Sequence, residues 1–480
     1  MKAAVPSADA DISFLAGADA LAGDPAQRQL TGRLAGLSLF RQVVVLSVWP
    51  LLEQVLSFLV TFVDTVQAGH LDPDALAAVG IAGYVIGIVG MIQSAAGIGA
   101  VAIIARATGA RRRSLVNATL GQSLIVAAVA GLIMGIALYL LSDPISRFVG
   151  LTGRGLDHSI LFLRVLAFAT PMSFILFVGC ACYRGAGNTA TPFQVMLAVN
   201  VVNIAANYAF VRGPGPLGGH GVAGIAGATD LAWTLGALIL VTSLLRGRGG
   251  LRLYLHRLAP RWHMIKRVTR VGLPSLIEAS GFWIAQFLVL GIVGNIGYAG
   301  LPNALAVHTV AVRLDGISYL PGFAMSAAAA TLAGQYLGVG DPKRVKQASL
   351  LCWYFCMAIM GTMGLLFVLI PGLLVGIVTT DPVVLRDAPT LLRICGPSEI
   401  FMATYLVLSA AMRGAGDTRT PMYLSYFSIF FVRLPAVYIF GVVLGYNLIG
   451  IWFALCGEVA FRGVIFALRF WQGGWLKAKV

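Results

Sequence analysis

Residues 184–192 read RGAGNTATP, and residues 413–421 read RGAGDTRTP. Seven of nine positions match at an offset of 229. The same offset carries Gly109 onto Gly338, and at a similar one Pro50 and Pro274 open the first and seventh apolar segments. A long repeat of this kind divides a chain into equivalent halves. Within each copy, Gly permits a tight reversal and Pro starts the next helix. Both copies therefore read as turns that place equivalent helices, not as sites of chemistry.

The material between the turns belongs in a bilayer. Of 480 residues 58% are hydrophobic and only 11% charged, with a mean hydropathy of +0.86. A soluble protein carries about 25% charged residues. A bilayer core about 30 Å thick takes roughly 20 apolar residues of helix. About twelve segments qualify: 42–69, 75–104, 116–141, 159–183, 192–211, 222–245, 270–296, 304–333, 347–377, 389–412, 422–442 and 448–470. Most of the 34 Lys and Arg residues fall between them, on the side that holds both termini, including a dense run between Arg246 and Arg270. Such asymmetry marks the cytoplasmic side and excludes a nucleic-acid face as the meaning of the +15 charge.

The fold class predicted is all-α and polytopic: twelve transmembrane helices in two pseudo-symmetric six-helix lobes. Six helices return the chain to its starting side, so the lobes are parallel repeats about an axis along the membrane normal. The predicted division is a cytoplasmic tail (1–40), an N-lobe (41–245), a basic cytoplasmic linker (246–269), a C-lobe (270–471) and a short cytoplasmic tail (472–480). The tail lacks the basic start and apolar core of a secretion signal; a short amphipathic stretch is expected in it before Arg41. The location expected is the cell inner membrane.

Several function classes fall away. Cys180, Cys182, Cys352, Cys356, Cys395 and Cys456 lie in or beside apolar runs and read as small buried hydrophobes, without the partners of a zinc site. No GxxxxGK[ST] loop is present, so nucleotide is not a partner. No cofactor is called for, and a monomer in contact only with lipid and small molecules is expected.

Four stretches in order resemble the multidrug and toxic compound extrusion (MATE) family: WPLLEQVLSFLVTFVDTVQAGHL (49–71); RGAGNTATP with NVVNIAANY (200–208); AVRLDGISYLPGFAMSAAAATLAGQYLGVGDPKR (311–344); and SEIFMATYLVLSAAMRGAGDTRTP (398–421). The resemblance spans about residues 40 to 470. It implies a V-shaped pair of lobes and alternating-access export of small organic compounds, cationic or amphipathic, against H+ or Na+. Alternatives are a lipid-linked oligosaccharide flippase of the same superfamily, disfavoured by an acid-lined interior, and an intramembrane enzyme, for which no catalytic constellation is evident.

Ionisable residues inside apolar segments need a partner, a cavity or a task. Glu53, Ser57, Thr61 and Asp64 fall on one stripe of the first helix, since eleven residues return to about the same face. The resemblance makes Asp64 the carboxylate linked to cation coupling. Asn200, Asn203 and Asn207 share one face of the fifth helix, able to bridge helices or to offer carbonyl oxygens to a cation. Relatives of the archaeal branch carry Asp where Asn207 stands, so a carboxylate pair is missing and the ion stays open between H+ and Na+ near Asp64.

Glu278 lies four residues after Pro274 and is a candidate for coupling or for attracting cationic substrate. His308, Asp315 and Tyr319 lie near one face of the eighth helix, with a proton relay or a cavity wall as the functional reading. Asp230 is placed to face the N-lobe cavity beside Asp64. Glu399 is expected near the outer surface. Glu458 and Arg462, at i and i+4, read as a self-neutralising pair.

Overall fold

The computed structural model describes residues 30, 32–71, 73–148, 151–213, 218–298 and 303–478; of the predicted N-terminal tail only residues 30 and 32–40 are among them. Twelve helices among the described residues are long and apolar enough to cross a membrane. They are α1 (Leu39–Gly69), α2 (Pro73–Gly109), α3 (Arg113–Phe148), α4 (Gly153–Gly185), α5 (Ala190–Arg212), α6 (Gly221–Leu245), α7 (Trp262–Tyr298), α8 (Ala304–Val339), α9 (Pro342–Leu369), α10 (Pro382–Gly414), α11 (Arg419–Val443) and α12 (Asn447–Gln472). The all-α, twelve-helix expectation holds.

The ends differ from the sequence reading in instructive ways. Pro50 and Pro274 do not open their helices: each lies inside, in α1 and in α7. Amphiphilic turns before each proline, with Arg41 in α1 and Lys266 in α7, extend the helices beyond their apolar cores. The last part of the predicted linker, from Trp262, is accordingly helix. The ninth segment breaks at Ile370 before a short helix, Pro371–Val378. α10 is interrupted by a 3-10 turn at Gly396–Ser398, and α11 contains two π-helical stretches, Ser428–Arg433 and Ile439–Val443.

By packing, the chain divides into an N-terminal unit, Val45–Val101 with Ser114–Ser280, and a C-terminal unit, Gly281–Val480 with Ala102–Arg113 and the residues up to Val44. In the N-terminal unit α6 packs against both α4 and α5. In the C-terminal unit α8 packs against α9 and α10, and α10 against α12. Glycines set the closest crossings. A Cβ on Gly364 would strike the Gly396 carbonyl, and one on Gly396 the Gly364 carbonyl. Gly109 and Gly338, equivalent in the repeat, stand against each other in the C-terminal unit. A Cβ on Gly338 would meet the Gly109 Cα at 3.0 Å and overlap the Arg106 carbonyl.

The two repeats form matching turns. Gly187 and Gly416 both have positive φ, 84° and 99°, which glycine adopts without strain. Asn188 Oδ1 accepts from Thr191 N at 3.3 Å, and Asp417 Oδ1 from Thr420 N at 3.1 Å. Each side chain thereby satisfies a free N–H at the start of the next helix. The Asn-for-Asp difference between the copies leaves this device intact, because both side chains present the accepting oxygen.

Candidate functional site

Asp64 lies fifteen residues into the part of α1 that follows Trp49, on the α1 face that meets α5 and α6. Its carboxylate is 4% exposed. Asn207 Nδ2 of α5 donates to Asp64 Oδ1 at 2.8 Å, and Thr229 Oγ1 of α6 donates to Asp64 Oδ2 at 2.9 Å. Asn203 Nδ2 donates to Thr229 Oγ1 at 3.1 Å and also lies in hydrogen-bonding reach of Asp64. One turn away along α5, Asn200 Nδ2 donates to the Met196 carbonyl at 2.9 Å. The amide oxygens of Asn200, Asn203 and Asn207 are all buried without a hydrogen-bond partner. Helical spacing put these three on one face; packing of α5 on α6 buries that face against Asp64.

This group can do one thing well. A buried carboxylate needs compensation, and neutral donors alone supply it only partly. Carboxylate, hydroxyl and amide oxygens are the donors a hard cation takes, and the carboxylate is equally the acceptor for a proton.

The other predicted residues separate from it. Glu53 is tied to Arg184 of α4 by an ion pair of 2.6 Å, so the lower end of the α1 stripe anchors the first repeat turn. Thr189 of the same turn donates to the Val45 carbonyl at 3.1 Å. Of the stripe, Ser57 is half-buried and Thr61 exposed. Asp230 follows Thr229 by one residue and so points elsewhere: its backbone-bonded carboxylate lies against Ala169 of α4, with Oδ1 buried and unpartnered. Glu278 is buried on α7.

In the C-terminal unit, His308 is engaged with α12: Trp452 Nε1 donates to its Nδ1 at 3.2 Å, with the rings edge to face at 5.8 Å. Asp315 makes other contacts. Tyr319 donates to Asp315 Oδ2, and Cys395 Sγ to Oδ1 at 2.9 Å. Glu399 is 1% exposed, packed beside Cys395 and Asp315. A 3-10 turn at Gly396–Ser398, which contains Pro397, directly precedes it.

The pair expected from Glu458 and Arg462 is in fact a buried triad. Arg433 Nη2 contacts Glu458 Oε2 at 2.6 Å, Arg462 Nε contacts Oε1 at 3.3 Å, and Ser428 donates to Oε1 at 2.5 Å. Arg462 also stacks over Tyr405 at 4.2 Å and Arg433 over Phe282 at 5.7 Å. An apolar cavity of about 640 Å³ walled by Phe440, Tyr446 and Phe453 lies beside Glu458, a size that suits a small organic molecule.

Sequence reasoning missed Thr229 and Arg433, and it named Cys395 and Glu399 without bringing them to Asp315. Thr229 had a weak signal: with Asp230 it makes the polar break in GVAGIAGATDLAWTLG. Arg433 had a stronger one, an arginine inside an apolar segment, which requires a partner.

Twelve apolar helices with buried, oxygen-rich acid clusters among the described residues fit a membrane transporter, and comparison with known proteins agrees. The MatE family model matches residues 51–209 and 274–439, and the chain belongs to that family, whose members are transporters and not enzymes. It is 31% identical over 444 residues to the probable multidrug resistance protein NorM of Thermotoga maritima, covering 92% of this chain and 94% of that one. It is 27% identical over 457 residues to the probable NorM of Pseudomonas aeruginosa, covering 88% and 87%. The fold matches an outward-facing multidrug resistance MATE family transporter, with a TM-score of 0.84 at 22% identity, over 91% of this chain and 97% of that one.

Proposed function

We propose that this chain is a multidrug exporter of the inner membrane that moves small organic compounds, cationic or amphipathic, outward in exchange for Na+ bound at Asp64. The observation that carries the reading is the set of buried amide oxygens left without partners on one face of α5, those of Asn203 and Asn207 at the Asp64 carboxylate and that of Asn200 further along the helix. A proton needs one acceptor; the idle oxygens of Asn203 and Asn207 beside a carboxylate, with that of Asn200 further along the same helix face, suit a metal cation.

The asparagines also supply a means of sensing the ion. Asn207 turns its Nδ2 toward Asp64, an arrangement that stabilises the carboxylate. A half-turn of the amide brings Oδ1 to the same place, replacing a donor with a ligand for the cation. Thr229 switches likewise by rotating its hydroxyl. The packing of α1 on α5 and α6 therefore differs between the two ion states. That difference is what an alternating-access carrier couples to the opening and closing of its lobes. One charge moving through 100 mV provides about 2.3 kcal/mol, enough for a drug gradient of roughly fiftyfold.

The test is ethidium efflux from energised vesicles, by wild type and Asp64→Asn, under separate Na+ and H+ pulses. Na+-driven efflux lost in Asp64→Asn is expected. Efflux driven by a proton pulse and indifferent to Na+ would make Asp64 a titrating acid instead. Efflux that survives collapse of both gradients, or is unchanged in Asp64→Asn, would remove coupling at this site.

A further inference from the structure

We infer that Asp315, Cys395 and Glu399, with Cys456 beside them, form a binding site for a soft divalent cation of the zinc and cadmium class, separate from the Asp64 site.

One ligand atom from each of Asp315, Cys395 and Glu399 lies within 4.8 Å of the other two. Around a tetrahedral zinc ion with bonds of about 2.0–2.3 Å, such atoms stand about 3.3–3.8 Å apart, so rotamer adjustments of about an ångström close the site. Cys456 of α12 is in hydrogen-bonding reach of Cys395 and offers a fourth ligand. The Glu399 carboxyl has one oxygen turned toward Cys395 Sγ, at 4.0 Å, while its second, Oε2, is buried and has no hydrogen-bond partner. In a residue 1% exposed an orphaned carboxylate oxygen is costly, and a cation would satisfy it. Tyr319, donating to Asp315, orients one ligand from outside the site.

Thiolate donors select soft metals over Na+, Mg2+ or Ca2+.

An ion held there would bind α8, both parts of α10 and α12 together. It would arrest any rearrangement within the C-terminal unit; this consequence rests on the exporter reading, whereas metal binding does not.

The experiment titrates the purified full-length protein in detergent with Cd2+, reading the ultraviolet thiolate-to-cadmium charge-transfer band, and with Zn2+ by calorimetry. Wild type is expected to bind one ion with a charge-transfer band that excess Na+ and Mg2+ do not remove. Cys395→Ser should abolish that band and weaken binding about tenfold or more, while Cys352→Ser, in α9, leaves both unchanged. Glu399→Gln should weaken binding without removing the band. Absence of the band in wild type, its survival in Cys395→Ser, or unchanged affinity in Glu399→Gln would each overturn the site. In vesicles Cd2+ should stop ethidium efflux by wild type and not by Cys395→Ser; if binding is observed without this arrest, the site stands and the functional consequence falls.

Discussion

Asn207 Nδ2 donates to Asp64 Oδ1 at 2.8 Å, joining α5 to α1 across 143 residues of sequence. The bond runs from the amide to the acid, and the carbonyl of Asn207 is left without a hydrogen-bond partner.

Replacing Asn207 by Asp puts a second carboxylate in contact with the first. Two adjacent buried carboxyls share a proton. Efflux by Asn207→Asp should therefore respond to a proton pulse and lose at least about tenfold of its Na+ sensitivity, a shift of about 1.4 kcal/mol, measured as drug efflux against each ion separately.

Thr229→Ala removes one of the two short hydrogen bonds to Asp64. A charged acceptor left short of a donor destabilises the ion-free protein by about 1–3 kcal/mol. A bound cation offsets that loss. The rise in Tm on adding NaCl, against choline chloride as control, should be larger in Thr229→Ala than in wild type.

Glu458 neutralises two arginines at once. Glu458→Gln leaves both buried without a counter-charge, a loss of about 3–5 kcal/mol, visible as a fall in Tm. The double variant Glu458→Gln with Arg433→Met should recover part of it, since one of the stranded charges is gone.

Gly338→Ala forces a methyl against the Arg106 carbonyl and the Gly109 backbone. Backbone cannot yield as a side chain can, and overpacking costs about 1–3 kcal/mol. Gly361→Ala on α9 has only Ile400 Cγ1, at 3.7 Å, nearby; there the gain in helix propensity, up to about 1 kcal/mol, should dominate. Thermal stability of the two variants should move in opposite directions.

His308→Phe separates a relay role from a structural one. The structure gives His308 a Trp452 donor, so the substitution should cost about 1–2 kcal/mol of stability while ion-driven efflux by the folded fraction is retained. Loss of ion dependence with normal Tm would restore the relay.

The chain's sequence alone determined the class and much of the plan. Twelve apolar segments, a repeat at offset 229 and clustered basic loops are local or statistical features, and bilayer insertion obliges each segment to become helix. The shared face of Asn200, Asn203 and Asn207 was equally legible, because helical periodicity is fixed by backbone geometry. Periodicity does not say which faces meet. It placed Glu53 and Asp64 on one stripe, yet packing gave Glu53 to Arg184 and Asp64 to Asn207 and Thr229. It put His308 near Asp315, yet packing gave His308 to Trp452 and Asp315 to Cys395 and Glu399. The 3-10 turn at Gly396–Ser398 directly precedes Glu399, and a π-helical stretch of α11 contains Arg433; nothing in composition predicts either. A buried polar group takes whatever partner the neighbouring helix brings within about 3 Å, so identity and spacing chose the candidates, and only tertiary contact decided their partners.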